Sequence, residues 1–178
     1  MTIRSNARLS LSLLALALTL GACGGGDDED TTAAAPGAGK LTLSASVPAV
    51  HDGDLDTSKA ESAENTASAA DAAIAVPYCA VRLTGVTHSA NANRYYVNVY
   101  FRQSDGKVLN ASLFTPTTGW AVGHFDATNG IDGVTVNVAT RTATFAAKTL
   151  TDVVDPSNKT TVNGSFGCPA STVAACGS

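Results

Sequence analysis

Apolar and polar residues alternate from Tyr95 to Leu113, which is the pattern of strands that bury one face. In the first strand the apolar phase holds Tyr95, Val97, Val99 and Phe101. The turn Ser104-Asp105-Gly106 follows, and a three-residue loop with Gly106 in the left-handed conformation suits a hairpin with a bulge. This loop predicts a register with apolar partners throughout: Phe101 with Leu109, Val99 with Ala111, and Val97 with Leu113.

The alternation continues to residue 168, and Gly, Pro, Asn and Asp residues separate the runs. A second hairpin is predicted from Val134-Val136-Val138 to Ala143-Phe145-Ala147, with a four-residue loop at 139–142. Further strands are expected near 79–86, 120–125 and 160–168, with a turn at Asp155-Pro156-Ser157-Asn158. Seven or eight short strands at this spacing indicate an all-β domain over residues 78–178, built as an antiparallel β-sandwich or a small barrel.

Composition divides the chain near residue 78. All ten aromatic residues lie between Tyr78 and Phe166, so the segment before them lacks the large side chains that build a core. Residues 23–71 carry ten acidic residues against Lys40 and Lys59. An acidic segment of this kind is typical of a solvated, self-repelling linker, and we therefore expect a flexible spacer over residues 23–77.

Two pieces of this spacer have patterns of their own. Residues 41–47 alternate with period two and predict a strand that is added to the β domain. Ser58 and Glu61 fit a capping box, which predicts a weak helix reaching about Ala73. That helix would have almost no apolar face, so it would gain little from packing.

The N-terminus has the parts of a secretory signal in their usual order. Arg4 and Arg8 precede a mostly apolar run at 9–20, which Leu20-Gly21-Ala22-Cys23 closes. The run is shorter than the roughly 20 apolar residues of a membrane-spanning helix. These features resemble the signal peptide and lipobox of bacterial lipoprotein precursors over residues 1–23. The resemblance implies removal of residues 1–22, diacylation of Cys23, and a stable membrane anchor carried by two or more acyl chains.

The same resemblance bears on location. In enteric bacteria an Asp directly after the lipidated cysteine tends to hold a lipoprotein on the inner membrane. Here Gly24 occupies that position. We therefore expect a protein of the bacterial cell envelope that is anchored through Cys23 to the outer membrane rather than to the inner one.

Three cysteines remain when Cys23 is set aside: Cys79, Cys168 and Cys176. In an oxidising compartment a disulfide is expected among them. Cys79 and Cys168 share the inward phase of the first and last strands of the domain, so we predict a Cys79–Cys168 bond that ties its ends together. The main alternative is Cys168–Cys176 across Pro169, and Cys79–Cys176 or no bond at all stay open.

Motifs for catalysis and cofactors are weak in this sequence. It holds no phosphate loop, nucleotide fingerprint, G-x-S-x-G elbow or zinc-type spacing. His124 and Asp126 would share one face of a strand, although such a pair is usually an ordinary surface feature. Residues 52–56 place acids at alternate positions, as calcium loops do, but Thr57 stands where the EF-hand needs Gly. We predict no cofactor and no metal, and the sparse basic charge argues against nucleic acid.

The outward face of the first hairpin is the main candidate for binding. It holds Tyr96, Asn98, Tyr100, Asn110 and Phe114, with Ser112 between them. Flat aromatic rings stack on the apolar faces of sugars, while amides and hydroxyls bind their hydroxyl groups. The structural alternative is a face covered by the 41–75 segment or lying at a sandwich corner. Trp120 is either a core residue or part of the same patch.

Three function classes follow from these features. The first is a lipid-anchored, non-enzymatic binding or structural module whose partner is an envelope protein or the cell wall. The second is a glycan-binding module that uses Tyr96, Tyr100 and Phe114. The third is an envelope hydrolase, for which His124, Asp126 and a serine hydroxyl would have to share a cleft. We rank the classes in this order.

Overall fold

The computed structural model describes residues 33–115, 123–127 and 130–178 of the chain. The predicted signal peptide at 1–22, the lipidation site Cys23 and Trp120 lie outside the described residues. Within those three ranges, no helix is long and apolar enough to cross a membrane.

The described residues form ten β-strands, which lie in one sheet. In chain order they are Gly39–Val47 (β1), Gly53–Asp56 (β2), Ser62–Ser68 (β3), Tyr78–His88 (β4), Arg94–Arg102 (β5), Val108–Thr115 (β6), Gly123–Asp126 (β7), Val134–Asn137 (β8), Thr142–Asp152 (β9) and Lys159–Gly167 (β10). Short 3-10 helices span Ala49–His51, Thr57–Lys59 and Ala174–Cys176.

Eight of these strands close into an antiparallel barrel in the order β10-β1-β2-β4-β5-β6-β7-β9, and β9 pairs with β10 to complete it. The two extra strands are β3, which pairs with β4, and β8, which pairs with β9. The predicted all-β antiparallel fold is therefore confirmed, with a barrel rather than a sandwich. Because β9 pairs with β10, neither of these strands is left as an edge of the sheet.

The core lies inside the barrel and consists of the alternate, inward-facing residues of its strands. Its largest fully buried apolar side chains are Tyr95, Phe101, Phe125, Phe145, Phe166, Leu41, Leu43, Leu55, Leu83, Leu113 and Leu150. Three of these leucines come from β1 and β2. The barrel therefore cannot be filled without the segment before residue 78.

The first hairpin keeps most of the predicted register. Val97 lies opposite Leu113 and Val99 opposite Ala111, as the alternation predicted. Phe101, however, pairs with Val108, because Leu109 forms an extra residue in β6 at a bulge. The loop is accordingly longer than three residues, and Gly106 adopts a left-handed φ of 70° within it.

The second hairpin forms with its register displaced by two residues. A loop at 139–142 would place Val138 opposite Ala143, but Val136 occupies that position. The turn begins earlier because the side chain of Asn137 accepts a hydrogen bond from the backbone N–H of Thr140, at 3.0 Å. A displacement of two keeps every side chain on its own face, so alternation alone does not distinguish the two registers.

The predicted boundary at residue 78 is wrong, because much of the presumed spacer belongs to the barrel. β1 extends the predicted 41–47 strand and lies between β10 and β2. Leu41 and Gly164 face each other across β1 and β10. Gly164 has a φ of 122°, and a Cβ there would collide with the carbonyl oxygen of Lys40.

The helix predicted from Ser58 to about Ala73 does not form. A single 3-10 turn at Thr57–Lys59 takes its place, and the side chain of Asp56 rather than Ser58 caps it. Residues 62–68 form β3 instead, which pairs with β4. A helix without an apolar face gains little from packing, whereas a strand beside β4 satisfies its backbone groups by hydrogen bonds to that strand.

The disulfide joins Cys79 to Cys176, with a Cα–Cα distance of 5.7 Å, so the predicted Cys79–Cys168 bond is wrong. In the barrel order, β1 and β2 separate β10 from β4, and this places Cys168 away from Cys79. The C-terminal segment crosses back, and the Asn65 side chain donates hydrogen bonds to the carbonyls of Pro169 and Cys176. Cys168 stays a free, buried thiol whose pKa burial raises to about 12.

An aromatic cluster lies at the end of the barrel where β4 joins β5. Tyr95 is fully buried, stacks on His88 at 5.0 Å between ring centroids, and forms a 3.0 Å hydrogen bond to Nδ1 of His51. The backbone N–H of Ala90 donates to Nδ1 of His88. Nε2 of His88 therefore carries the proton and donates to the carbonyl of His51, at 3.1 Å.

Candidate functional site

The strand register aligns outward-facing side chains of β4, β5, β6 and β7 in rows across the barrel wall. One such row is Arg82, Asn98, Ser112 and Asp126, each directly opposite the next. Strands lie about 4.8 Å apart, so the row extends over roughly 14 Å. We call these four residues the polar row.

Aromatic rings lie beside the polar row in the direction of Thr115. Tyr96, Phe114 and His124 are opposite one another on successive strands. The rings of Phe114 and His124 stack at 4.2 Å with an angle of 15° between their planes. Tyr96 is 40 % exposed, so this row offers ring surface to solvent.

A second pair of rings lies on the other side of the polar row. Tyr100 is half-buried and lies opposite Asn110. The ring of Tyr78 meets that of Tyr100 edge-on, with 5.9 Å between centroids. The polar row is thus flanked by aromatic rings on both sides.

A short segment at 71–76 forms one rim of this surface. Asp71 fixes it, because one carboxylate oxygen accepts from the backbone N–H groups of Ala73 and Ile74, and the other accepts from the hydroxyl of Tyr78 at 2.8 Å. The hydrogen bonds from the backbone of Ile74 and from Tyr78 hold the pKa of Asp71 below its ordinary value. The carboxylate therefore stays ionised and keeps the rim attached to the barrel.

Between the rim and the strands runs an open groove of about 690 Å³. Apolar side chains from the rim and from β6 line one part of it, and polar groups line the rest. The chemically informative lining residues are Asp71, Tyr78, Arg82, Tyr100, Asn110, Ser112, Phe114, His124 and Asp126. A pocket of this size with a few convergent polar groups is within the range of small-ligand sites.

Hydrogen-bonding capacity in the polar row is only partly used. Asp126 accepts from the side chain of Asn110 at 3.2 Å and from the backbone of Ala127 at 2.7 Å. Within the described ranges, the side chains of Asn98 and Ser112 make no hydrogen bond, although Ser112 is only 3 % exposed. Both side chains lie on the outward face of the strands, and Ser112 lines the groove, so its hydroxyl can donate to or accept from a polar ligand atom.

The structure places the five predicted face residues together. Tyr96, Asn98, Tyr100, Asn110 and Phe114 all point outward from β5 and β6, and the pairs Tyr96–Phe114 and Tyr100–Asn110 have the predicted register. The covering segment is residues 71–76, and it borders the face without closing it.

Sequence reasoning missed the contribution of β4. Arg82 and Tyr78 enter the site because β4 pairs with β5. The inward phase of Cys79 and Val81 already indicated that Arg82 points outward. The pairing partner of β4 was not predictable from that phase, so the Arg82–Asn98 contact was missed.

The catalytic arrangement required of a hydrolase is not formed by the described residues. His124 and Asp126 do share an outward face of β7, and Ser112 lies opposite Asp126. No hydrogen bond links His124 to either of them within residues 33–115, 123–127 and 130–178, and the His124 ring stacks on Phe114 instead. A nucleophile needs a base within hydrogen-bond reach.

The alternating acids at 52–56 bind neighbouring side chains and backbone. Each accepts a hydrogen bond from a nearby Ser or Thr: Asp52 from Ser46, Asp54 from Thr42, and Asp56 from Ser58. These hydrogen bonds hold the pKa of all three carboxyls below the ordinary value. Among the residues that the structure covers, no group of three or more His, Cys, Asp or Glu side chains is placed to hold a metal ion.

Comparison with known proteins leaves the site to be interpreted from its own chemistry. No family model matches the chain, and neither a curated protein nor a solved structure matches it.

Proposed function

We propose that this protein is a lipid-anchored, non-enzymatic module of the bacterial cell envelope that binds a glycan in the groove between the 71–76 rim and strands β4–β7. The observation that carries the proposal is the polar row with aromatic rings on both sides. Sugar rings present apolar faces and hydroxyl edges together, so they match a surface where rings and hydrogen-bonding groups alternate over a few ångströms.

The strands support this assignment because they hold the groups in fixed positions. Tyr100 and Phe114 project from β5 and β6, which pair over most of their length. Asp71 fixes the rim through Tyr78. A preorganised site loses less conformational freedom when a ligand binds, which favours recognition of a flexible glycan.

The anchor in this proposal rests on the lipobox at residues 20–23. Cys23→Ser is expected to leave the protein uncleaved or to release it from membranes, because the acylated thioether can no longer form. Membrane fractionation and N-terminal sequencing measure this. A Cys23→Ser protein that stays in the membrane fraction with the same mature N-terminus would contradict the anchor.

The groove is tested with the mature protein purified in detergent and a panel of immobilised neutral and acidic oligosaccharides. Tyr100→Ala removes one stacked ring, worth on the order of 1 kcal/mol, and should weaken binding roughly fivefold. Val154→Ala is the control, because Val154 is 87 % exposed and lies outside the groove. Unchanged affinity in both Tyr100→Ala and Phe114→Ala would refute the groove as the binding site.

A further inference from the structure

The acidic side chains that line the groove have hydrogen-bond partners within the protein, whereas its arginine has no ion-pair partner among the described residues. Its two carboxylates already have partners: Asp71 holds the rim and Tyr78, and Asp126 holds Asn110 and the backbone of Ala127. Arg82 also lines the groove. Among the described residues it takes part in none of the four ion pairs, and it is exposed.

One candidate partner of Arg82 within the protein is Glu64. The two residues lie directly opposite each other on β3 and β4, and both are exposed. They nevertheless do not approach within ion-pair distance in the described structure. The guanidinium therefore keeps its donors for a group in the groove, and its planar fork suits a carboxylate that it can hold with two hydrogen bonds.

We infer that the groove takes an acidic glycan, with a sugar carboxylate bound by Arg82. This inference rests on the proposed function and names its ligand class. The glycan chain crosses the strands along the polar row, so that its hydroxyls reach Asn98, Ser112 and Asp126. Its ring faces contact Tyr100 on one side and the stacked Phe114 and His124 on the other.

The test uses the mature protein in detergent and matched ligands. Oligomers of galacturonate are compared with their methyl esters, which keep the same sugar but lose the negative charge, and alginate and hyaluronan fragments extend the panel. Calorimetric titration is run at low and high salt. The acid should bind at least about tenfold more tightly than its ester, and high salt should reduce the difference.

Two variants of opposite expected effect sharpen the test. Arg82→Gln should weaken binding of the acid about tenfold or more and leave the ester unchanged. Glu64→Gln should strengthen binding of the acid, because it removes a competing negative charge opposite Arg82. Lys159→Gln is the matched control, since it also removes one positive charge but lies on β10, away from the groove.

The outcomes separate the two proposals. Equal binding of acid and ester, with Tyr100→Ala weakening both, would overturn the acidic class and keep the groove as a glycan site. Binding of none of the acids at millimolar concentration would overturn the inference. Arg82 is exposed and makes no ion pair among the described residues, so Arg82→Gln should keep the thermal midpoint of the parent, and a lost affinity then reports on binding.

Discussion

Loss of the Cys79–Cys176 bond should be among the most destabilising single changes available in this chain. The bond closes a loop with a sequence separation of 97 residues, which contains β4 to β10. In the chain-entropy model a loop of about 100 residues is worth roughly 4.7 kcal/mol, and measured losses are typically about 2–4 kcal/mol. For a folded unit of this size that corresponds to a fall in thermal midpoint of roughly 10 °C.

Cys176→Ser is the perturbation, and its thermal and urea unfolding are compared with those of the parent. Cys168→Ala is the matched control, because it removes a buried cysteine that is not bonded. Peptide mapping without reduction should recover the fragment that joins residues 79 and 176. The reasoning fails if a Cys168-containing disulfide is recovered, or if Cys168→Ala lowers the midpoint as much as Cys176→Ser does.

Three further predictions test other parts of the structure. Gly164→Ala should destabilise the folded protein by several kcal/mol, because residue 164 has a positive φ and the new methyl group meets the backbone of Lys40. A urea denaturation midpoint close to that of the parent would contradict the β1–β10 packing. Burial lowers the pKa of His51, so the unfolded chain binds more protons and stability should fall as pH drops below about 6.5. His51→Gln should flatten that slope in urea titrations run below about pH 6.5, and an unchanged slope would exclude His51 as its source. Limited proteolysis from the N-terminus should stop before Gly39, because backbone hydrogen bonds tie Ala34 and Gly37 to the barrel. A stable product that begins near Tyr78 would show that β1 is not part of the barrel.

Local pattern determined β1, the strands from β4 onward and most of one hairpin, but neither β2 nor β3. In β5 and β6 the alternation is strong and the turn is short, so Val97–Leu113 and Tyr96–Phe114 follow from the sequence. The exception at Leu109 arises because a bulge adds one residue without changing the apolar pattern around it. The strong alternation in β5 and β6 also made the outward face of Tyr96, Tyr100 and Phe114 predictable. Arg82 was not predictable as a neighbour of this face, because its position depends on which strand lies beside β5.

The tertiary structure alone decided where the N-terminal strands go and, through them, which cysteines pair. The lack of aromatic residues made residues 39–68 resemble a spacer. Leu41 and Leu43 alternate along β1, however, and Leu55 lies opposite Leu41 on β2, and these three leucines are enough to fill one side of a small barrel. Once β1 and β2 are inserted between β10 and β4, Cys168 is separated from Cys79, and the tail brings Cys176 to it instead. Hydrophobic alternation fixes which face of a strand is buried, but strand order depends on closure of the whole barrel, and no local segment of sequence contains that information.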